Sequence, residues 1–242
     1  MKKNILLPFA TMFILLTMSS CYFDGNYKNR IEGNGPIVSE ILDIRDFDSF
    51  NIQNSANVVL KQGNKFHVEI EAQRNIINNL NTEVTGNIWK IRNNRPVWKS
   101  QKMTIYITMP EFKTIRISGS GDVSTVGDFD NLGDLELRIS GSGDMDLDID
   151  ADDIYGRIGG SGSIRLSGKA DKLDFRVTGS GDIYAMDLQA RSAEASISGS
   201  GSIRVDVKER LDATVSGSGN IFYHGNPHIN TRVSGSGNIQ SR

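Results

Sequence analysis

One short sequence, V-S-G-S-G-N-I at Val215–Ile221, occurs with small changes seven times in this chain. The seven copies follow one another at intervals of 22, 19, 19, 20, 18 and 18 residues and are centred on Ser120, Ser142, Ser161, Ser180, Ser200, Ser218 and Ser236. A fixed period near 20 residues is typical of a solenoid, in which one repeat cannot bury its apolar side chains alone. A β-propeller blade needs about 40 to 50 residues, so these repeats are too short for that fold.

Two apolar positions flank the glycines of every copy, six residues apart. Thirteen of these fourteen residues are Ile or Val, which favour strands. Because successive side chains of a strand point to opposite faces, the even spacing places both positions on one face, which must be the core. The first position is Ile117, Ile139, Ile158, Val177, Ile197, Val215 and Val233, and the second is Val123, Met145, Ile164, Ile183, Ile203, Ile221 and Ile239. A weaker third position lies four residues upstream of the first: Leu135, Ile154, Leu173, Ala193, Leu211 and Ile229.

The glycines and serines of each copy alternate in direction. Gly217 and Gly219 share the inward direction, so we expect the chain there to bend sharply or to approach the opposite wall of the solenoid. The intervening serines, and the Ser or Thr before the first glycine, point outward as regular ladders of hydroxyl groups. Such ladders suit hydrogen bonding to a long glycan, or simply to water and to one another.

These patterns predict an all-β fold, a single-stranded parallel β-helix solenoid with coils about 4.8 Å apart. Residues 114–242 hold the seven G-S-G repeats, and residues 37–113 are expected to form the first coils and a β-rich cap. Within 37–113, Gln73–Leu80 permits one or two helical turns that cover the open end of the solenoid. The last copy, Val233–Ile239, has no comparable cover in the sequence, so we expect two molecules to associate end to end there.

The N-terminus has the order of a secretory leader. Lys2 and Lys3 precede the apolar run Ile5–Met18, which is too short to span a bilayer. Ser19 and Ser20 then precede Cys21, the only cysteine of the chain, in an arrangement that resembles the lipobox of bacterial lipoproteins. That resemblance implies a signal peptide at 1–20, lipidation of Cys21 and a tether at 21–36 that carries the head, residues 37–242, on the outer membrane. An ordinary leader with an incidental cysteine is the alternative.

The chain resembles a known family through three further segments. They are Phe47–Ile52 (F-D-S-F-N-I), Ile105–Pro110 (I-Y-I-T-M-P) and Ile117–Asp122 (I-S-G-S-G-D), followed by the repeated G-S-G motif. This order is similar to the family named putative auto-transporter adhesin, head GIN domain, over about Ile41–Ile239. The resemblance implies a right-handed β-helix on the envelope of Bacteroidetes-like bacteria and a role in adhesion.

A row of alternating aspartates raises the question of a calcium site. Asp144, Asp146, Asp148, Asp150 and Asp152 lie on one face of one predicted strand, and calcium takes six to eight oxygen ligands. However, the G-G-x-G-x-D repeat of calcium-binding β-rolls is not met, since Gly159–Ser163 is followed by Ile164. A solvated acidic face is therefore the main interpretation.

Three aromatic residues are candidates for stacking on sugars. Outward parity predicts exposed rings at Tyr184 and Phe222. Trp98 lies in the basic stretch Arg95–Lys102, where packing under a loop or cap is the stronger alternative.

No residue has the context of a catalytic, cofactor-binding or metal-binding group. His67, His224 and His228 are the only histidines, and the aspartate row shows no acid and base in different environments. We expect a non-enzymatic envelope lipoprotein with a β-helix binding head, an adhesin or a glycan- or protein-binding module. The alternatives are a periplasm-facing structural or scaffold protein and a polysaccharide-active β-helix enzyme. The expected partners are the membrane through the lipid anchor and glycans or host or envelope proteins, whereas a net charge of −2 does not favour nucleic acid.

Overall fold

The computed structural model describes residues 29–242, of which nearly all the regular structure is strand. The predicted signal peptide, Cys21 and the first half of the predicted tether lie outside the described residues. The N-terminal part contains β1 (Ile31–Glu32), β2 (Ile37–Leu42), β3 (Ser49–Ile52), β4 (Asn57–Gln62), β5 (His67–Gln73), α1 (Arg74–Ile77), β6 (Val84–Thr85), β7 (Ile88–Ile91), β8 (Val97–Lys99) and β9 (Thr104–Met109). The repeats contain β10 (Thr114–Ile117), β11 (Val123–Thr125), β12 (Phe129–Leu132), β13 (Leu135–Ile139), β14 (Met145–Ile158), β15 (Ser163–Val177), β16 (Asp182–Ile197), β17 (Ser202–Val215), β18 (Asn220–His224), β19 (His228–Val233) and β20 (Asn238–Ser241).

Two ladders of parallel strands run along the solenoid, which confirms the predicted fold class. The first ladder stacks β7, β3, β10 and β13, then the second halves of β14 to β17, and then β19. The second ladder stacks β9, β4 and β11, then the first halves of β14 to β17, then β18 and β20. The G-S-G corner joins the two ladders in every repeat.

The order of coils in space differs from their order in the chain. The coil formed by β3 and β4 lies between the coil of β7 and β9 and the coil of β10 and β11. Along the sequence, the chain first forms the second coil, from β3 and β4. It then turns back through β5 and forms the terminal coil from β7 and β9. From there it passes the second coil and begins the repeats at β10.

The inward positions predicted from the repeat form the core. From Ile117 to Val215 and from Val123 to Ile221, every residue of the first and second positions is at most 1% exposed. The third position is buried from Leu135 to Leu211 as well. Fully burying one such side chain stabilises the fold by about 1.5 to 3 kcal/mol, so the apolar ladders dominate its stability.

The glycines are required by contact between coils and not by contact across the solenoid. A Cβ built on Gly217 would lie 2.1 Å from the carbonyl oxygen of Gly199, and one on Gly219 would lie 2.0 Å from that of Gly201. The expectation that this segment approaches the opposite wall is therefore wrong. The backbone of one corner rests on the corner before it, where any larger side chain would separate the two coils.

A cap covers the N-terminal end, as predicted. Strand β5 pairs antiparallel with β9, and β2 pairs antiparallel with β5, so the second ladder continues beyond its last parallel strand. Helix α1 and the turn after it bury Ile76, Ile77 and Leu80 against the core. At the other end, Ile229 and Val233 are 43% and 48% exposed.

Candidate functional site

The residue after the second glycine joins consecutive coils through its side chain. Asp144 Oδ1 accepts the backbone N–H of Ser163 at 2.7 Å and its hydroxyl at 2.8 Å. Asp182 Oδ1 accepts the N–H of Ser202 at 2.6 Å, and Asn220 Oδ1 that of Asn238 at 3.1 Å. These carboxylates and amides have a structural role that the sequence reasoning missed. The restriction of this position to Asp, Asn and Ser is the signal that could have revealed it.

The aspartate row on β14 lies beside basic residues of the next coil. Asp146 is in register with Arg165, and Asp150 with Lys169, whose Nζ is 3.7 Å from Asp150 Oδ2. Within residues 29–242 there is no group of three or more His, Cys, Asp or Glu side chains that could hold a metal ion. The geometry therefore favours a solvated acidic face with partial charge pairing.

The aromatic residues predicted to be exposed belong to a stack of alternating rings and guanidinium groups on the second ladder. Arg204 lies over the ring of Tyr184 at 4.8 Å and over that of Phe222 at 5.1 Å, and Arg242 lies over Phe222 at 4.4 Å. Arg165 covers Tyr184 from the preceding coil at 4.9 Å. Phe222 is consequently only 8% exposed, and its predicted exposure is wrong because the arginines cover it. These rings are engaged in cation–π contacts and are poorly placed to stack on a sugar.

Trp98 is the most exposed large aromatic residue in the described part of the chain. Its exposed fraction is 63%, so the alternative that it packs under a loop or cap is wrong. The guanidinium of Arg30 lies 5.3 Å from the ring centre. The ring borders a cleft of about 850 Å³ whose other lining residues are mostly polar or basic: Gln53, Asn54, Ser55, Arg92, Asn93, Lys99, Ser100, Gln101 and Lys102, with Ile76, Pro96, Val97 and Met103.

The predicted hydroxyl ladders are present at the corners. The middle serine of each corner is exposed. In the first six corners its backbone N–H donates to the preceding coil, as in Ser142 to Gly119 O and Ser180 to Gly160 O, both 3.1 Å. The backbone is therefore fixed and the hydroxyl groups face solvent at regular intervals.

An arginine column on the first ladder was missed by the sequence reasoning. Arg116, Arg138, Arg157 and Arg176 are in register on four consecutive coils. Each directly precedes an inward residue of the first apolar position, so the column could have been found by aligning the residue before that position. In the repeat, the glycine motif is a more conspicuous signal than this surface arginine.

The histidines are dispersed. The closest carboxylate to His224 Nδ1 is Asp206, at 3.3 Å, and His67 Nε2 lies 3.7 Å from Glu69. His228 is exposed on β19. Each of the two pairs is therefore an exposed histidine beside one carboxylate.

Comparison with known proteins identifies related sequences and structures. A family model described as "putative auto-transporter adhesin, head GIN domain" matches residues 46–227. A crystal structure described as a putative adhesin from Bacteroides fragilis is 26% identical, with a TM-score of 0.83 over 88% of this chain and 100% of that one. A structure described as a putative lipid binding protein from Parabacteroides distasonis is 29% identical, with a TM-score of 0.71 and the same coverage.

A third structure, a putative adhesin from Parabacteroides merdae, is 22% identical with a TM-score of 0.72 over 88% of this chain and 99% of that one, and supports the fold alone. No curated protein matches the chain. The names of the family and of these neighbours describe binding proteins and not enzymes. No helix within residues 29–242 is long and apolar enough to cross a membrane.

Proposed function

Because this chain belongs to the family described as putative auto-transporter adhesin, head GIN domain, we propose that it is a cell-envelope binding protein whose solenoid head recognises glycans. The observation that carries the glycan assignment is the exposed ring of Trp98 at the edge of a polar cleft. The head holds that ring on a stable framework of paired strands, so little ordering is needed when a ligand binds.

The chemistry of the cleft suits a carbohydrate. An aromatic face packs against the C–H groups of a sugar ring, and the surrounding amides, hydroxyls and cations can donate to or accept from sugar hydroxyls. Asn54, Asn93 and Gln101 supply amide groups, and Lys99 and Lys102 supply ammonium groups, around the ring of Trp98. This mixture of one apolar ring and many polar groups fits a sugar better than it fits an apolar small molecule.

A glycan array followed by titration calorimetry tests the proposal. We expect Trp98→Ala to weaken binding of an array-identified neutral oligosaccharide by about tenfold, the loss of one good aromatic contact. Tyr106→Ala is the matched control, because Tyr106 is also exposed but lies on β9 outside the cleft. Equal affinity of wild type and Trp98→Ala, or an equal loss in both variants, would contradict the assignment.

The proposal includes a lipid anchor at Cys21 on the outer membrane. Its support is the leader-like order of Lys2 and Lys3, Ile5–Met18 and the single cysteine. Several acyl chains, each contributing about 0.8 kcal/mol per buried methylene, would hold the protein stably. Labelled palmitate should be incorporated into the wild type and not into Cys21→Ala, and unchanged labelling of the variant would reject the anchor.

The side of the membrane on which the head lies distinguishes a role in adhesion from a role as an envelope scaffold. Protease treatment of intact cells should remove the head if it faces outward, while a periplasmic control protein survives. Protection of the head would instead favour the scaffold, for which the exposed Ile229 and Val233 offer an apolar surface for end-to-end association. In that case, sedimentation at tens of micromolar should show a dimer, and a strict monomer would exclude this mode of assembly.

A further inference from the structure

The four arginines of the first ladder are adjacent along the solenoid axis. Register pairs Arg116 with Arg138, Arg138 with Arg157, and Arg157 with Arg176. Neighbouring parallel strands are about 4.8 Å apart, so four positive groups occupy a line only about 14 Å long. Like charges directly opposite each other on neighbouring strands destabilise a sheet, so this arrangement has a cost that an anionic partner would remove.

Two of the four charges are compensated within the chain. Arg116 Nη2 lies 2.9 Å from Glu136 Oε2. Arg157 Nη2 lies 2.6 Å from Asp174 Oδ2, while its Nη1 donates to the other carboxylate oxygen at 3.0 Å and to the backbone carbonyl of the same residue at 2.6 Å. These two guanidinium groups are held in place by their carboxylates.

The alternate arginines are open. Arg138 and Arg176 are exposed, and neither side chain makes a hydrogen bond or ion pair with any residue from 29 to 242. They are two coils apart, so about 10 Å separates their positions along the axis. The strip therefore presents a regular alternation of paired and free cations.

Hydroxyl groups lie beside the open arginines, and the coil between them has Gly159 at the equivalent position. Ser140 and Thr178 follow Arg138 and Arg176 by two residues on the same outward side and are exposed. On the other side, Glu136, Arg138, Tyr155 and Arg157 line a shallow groove of about 380 Å³. A linear ligand along the axis would thus meet cations and hydroxyl groups in the same repeat.

The acidic residues beside the strip restrict what can bind. Glu136 and Asp174 lie two residues before Arg138 and Arg176 and are in register through Tyr155, and Glu194 continues this column on the next coil. The nearby carboxylate of Asp153, with smaller contributions from burial and Asp134, raises the pKa of Tyr155 above its usual value, as expected in a negative field. Because Glu136 and Asp174 are paired with Arg116 and Arg157, a broad anionic surface such as a membrane would meet a nearly balanced face, whereas a narrow chain can lie on the open Arg138 and Arg176.

We propose that the strip formed by Arg116, Arg138, Arg157 and Arg176, with the hydroxyls of Ser140 and Thr178, binds an acidic polysaccharide. Arg138 and Arg176 would each bind one carboxylate or sulfate group through paired N–H donors. The hydroxyls of Ser140 and Thr178 bind sugar hydroxyls beside these charged groups. The proposal rests on the proposed function, to which it adds the charge class of the ligand and a second site away from Trp98.

Binding of the purified full chain to immobilised polygalacturonate and heparin tests the proposal, with dextran as the neutral control. We expect Arg138→Ala/Arg176→Ala to weaken binding to at least one of the acidic polymers about tenfold or more, and added salt to weaken wild-type binding. The matched control is Lys65→Ala/Lys208→Ala, which removes two exposed positive charges outside the arginine column. The thermal unfolding midpoint of each variant shows that the fold is retained.

The outcomes separate this site from the cleft. Loss of acidic-polymer binding in the Arg138→Ala/Arg176→Ala variant alone supports the strip. An equal loss in the control variant overturns it in favour of general charge attraction, and wild-type affinity in the arginine variant with loss in Trp98→Ala overturns it while retaining the glycan-binding cleft. If the wild type binds neither acidic polymer, the strip is wrong whether or not a neutral glycan binds.

Discussion

Replacing Gly201 by Ala tests whether contact between coils explains the glycines. The added Cβ would lie 1.8 Å from the carbonyl oxygen of Gly181, 2.8 Å from its carbonyl carbon and 3.1 Å from Val177 Cγ1. Backbone atoms cannot rotate out of the way as a flexible side chain can. The two coils must therefore separate locally by about 1.5 Å before the Cβ fits at van der Waals distance.

Separation of the coils disrupts the hydrogen bonds on either side of Gly201. The N–H of Ser200 donates to Gly179 O at 3.0 Å, and the N–H of Ser202 donates to Asp182 Oδ1 at 2.6 Å. Each contributes about 1 kcal/mol, and looser packing of Ile203 on Ile183 adds a similar amount. We therefore expect a loss of about 3 kcal/mol, which lowers the thermal midpoint by about 6 to 12 °C for a chain of this size.

Circular dichroism during heating measures the effect, and the chain offers a matched glycine as the control. A Cβ on Gly133 would meet nothing within 4 Å. Gly133→Ala should therefore change stability by less than about 1 kcal/mol, in the stabilising direction. If the midpoint of Gly201→Ala is within 1 or 2 °C of the wild type, or equals that of Gly133→Ala, the steric explanation is refuted.

Three further predictions test the core, the corner and a surface ion pair. Ile183→Asp should destabilise the fold by at least about 4 kcal/mol because it buries an unpaired charge, whereas Ser180→Ala should change the stability by no more than about 0.5 kcal/mol. Urea unfolding measures both, and equal midpoints would reject the assigned inward and outward directions. Asp182→Ala should lower the free energy of unfolding in urea by about 1.5 to 2 kcal/mol, because it removes the acceptor for the N–H of Ser202. Asp182→Asn should retain most of this stability. Equal stability of the two variants would contradict the hydrogen bond at the corner. The hydrogen bond from Arg210 is the main cause that holds the pKa of Asp212 below its usual value, and burial opposes it with a smaller effect. The carboxylate therefore stabilises the fold at a pH above its pKa in the unfolded chain. This contribution is lost as the pH falls through its pKa in the folded protein. Asp212→Asn should accordingly make unfolding less dependent on pH between about pH 5 and pH 2, and an unchanged acid limb would show that the pair contributes nothing.

The repeat made much of the architecture predictable. The even spacing between Ile117 and Val123 is a local property of extended chain, and it correctly predicted which side chains are buried in the first six copies. It is wrong for the last copy, where Val233 is 48% exposed. The same parity correctly placed the middle serines at the surface. The helical turn near Ile76 was also predictable, because its apolar residues follow a helical pattern within a few positions.

The candidate sites were less predictable because exposure depends on residues from other coils. Phe222 has outward parity, yet Arg204 and Arg242 cover it from two different strands. Trp98 was expected to find cover and remains open. In both cases the local sequence does not indicate which residues from other strands lie beside the aromatic ring.

The sequence by itself determined the fold class, the burial of the Ile and Val ladders and the outward hydroxyls, because these follow from a period of two along each strand and a period near 20 along the chain. Only the tertiary structure decided that β3 and β4 enter between two other coils and that each corner glycine rests on the preceding corner. It also decided that Arg138 and Arg176 remain open beside the paired Arg116 and Arg157. The physical reason is that these features depend on register and contact between residues far apart in sequence, and the alternation of side chains within one strand does not specify which strand lies beside it.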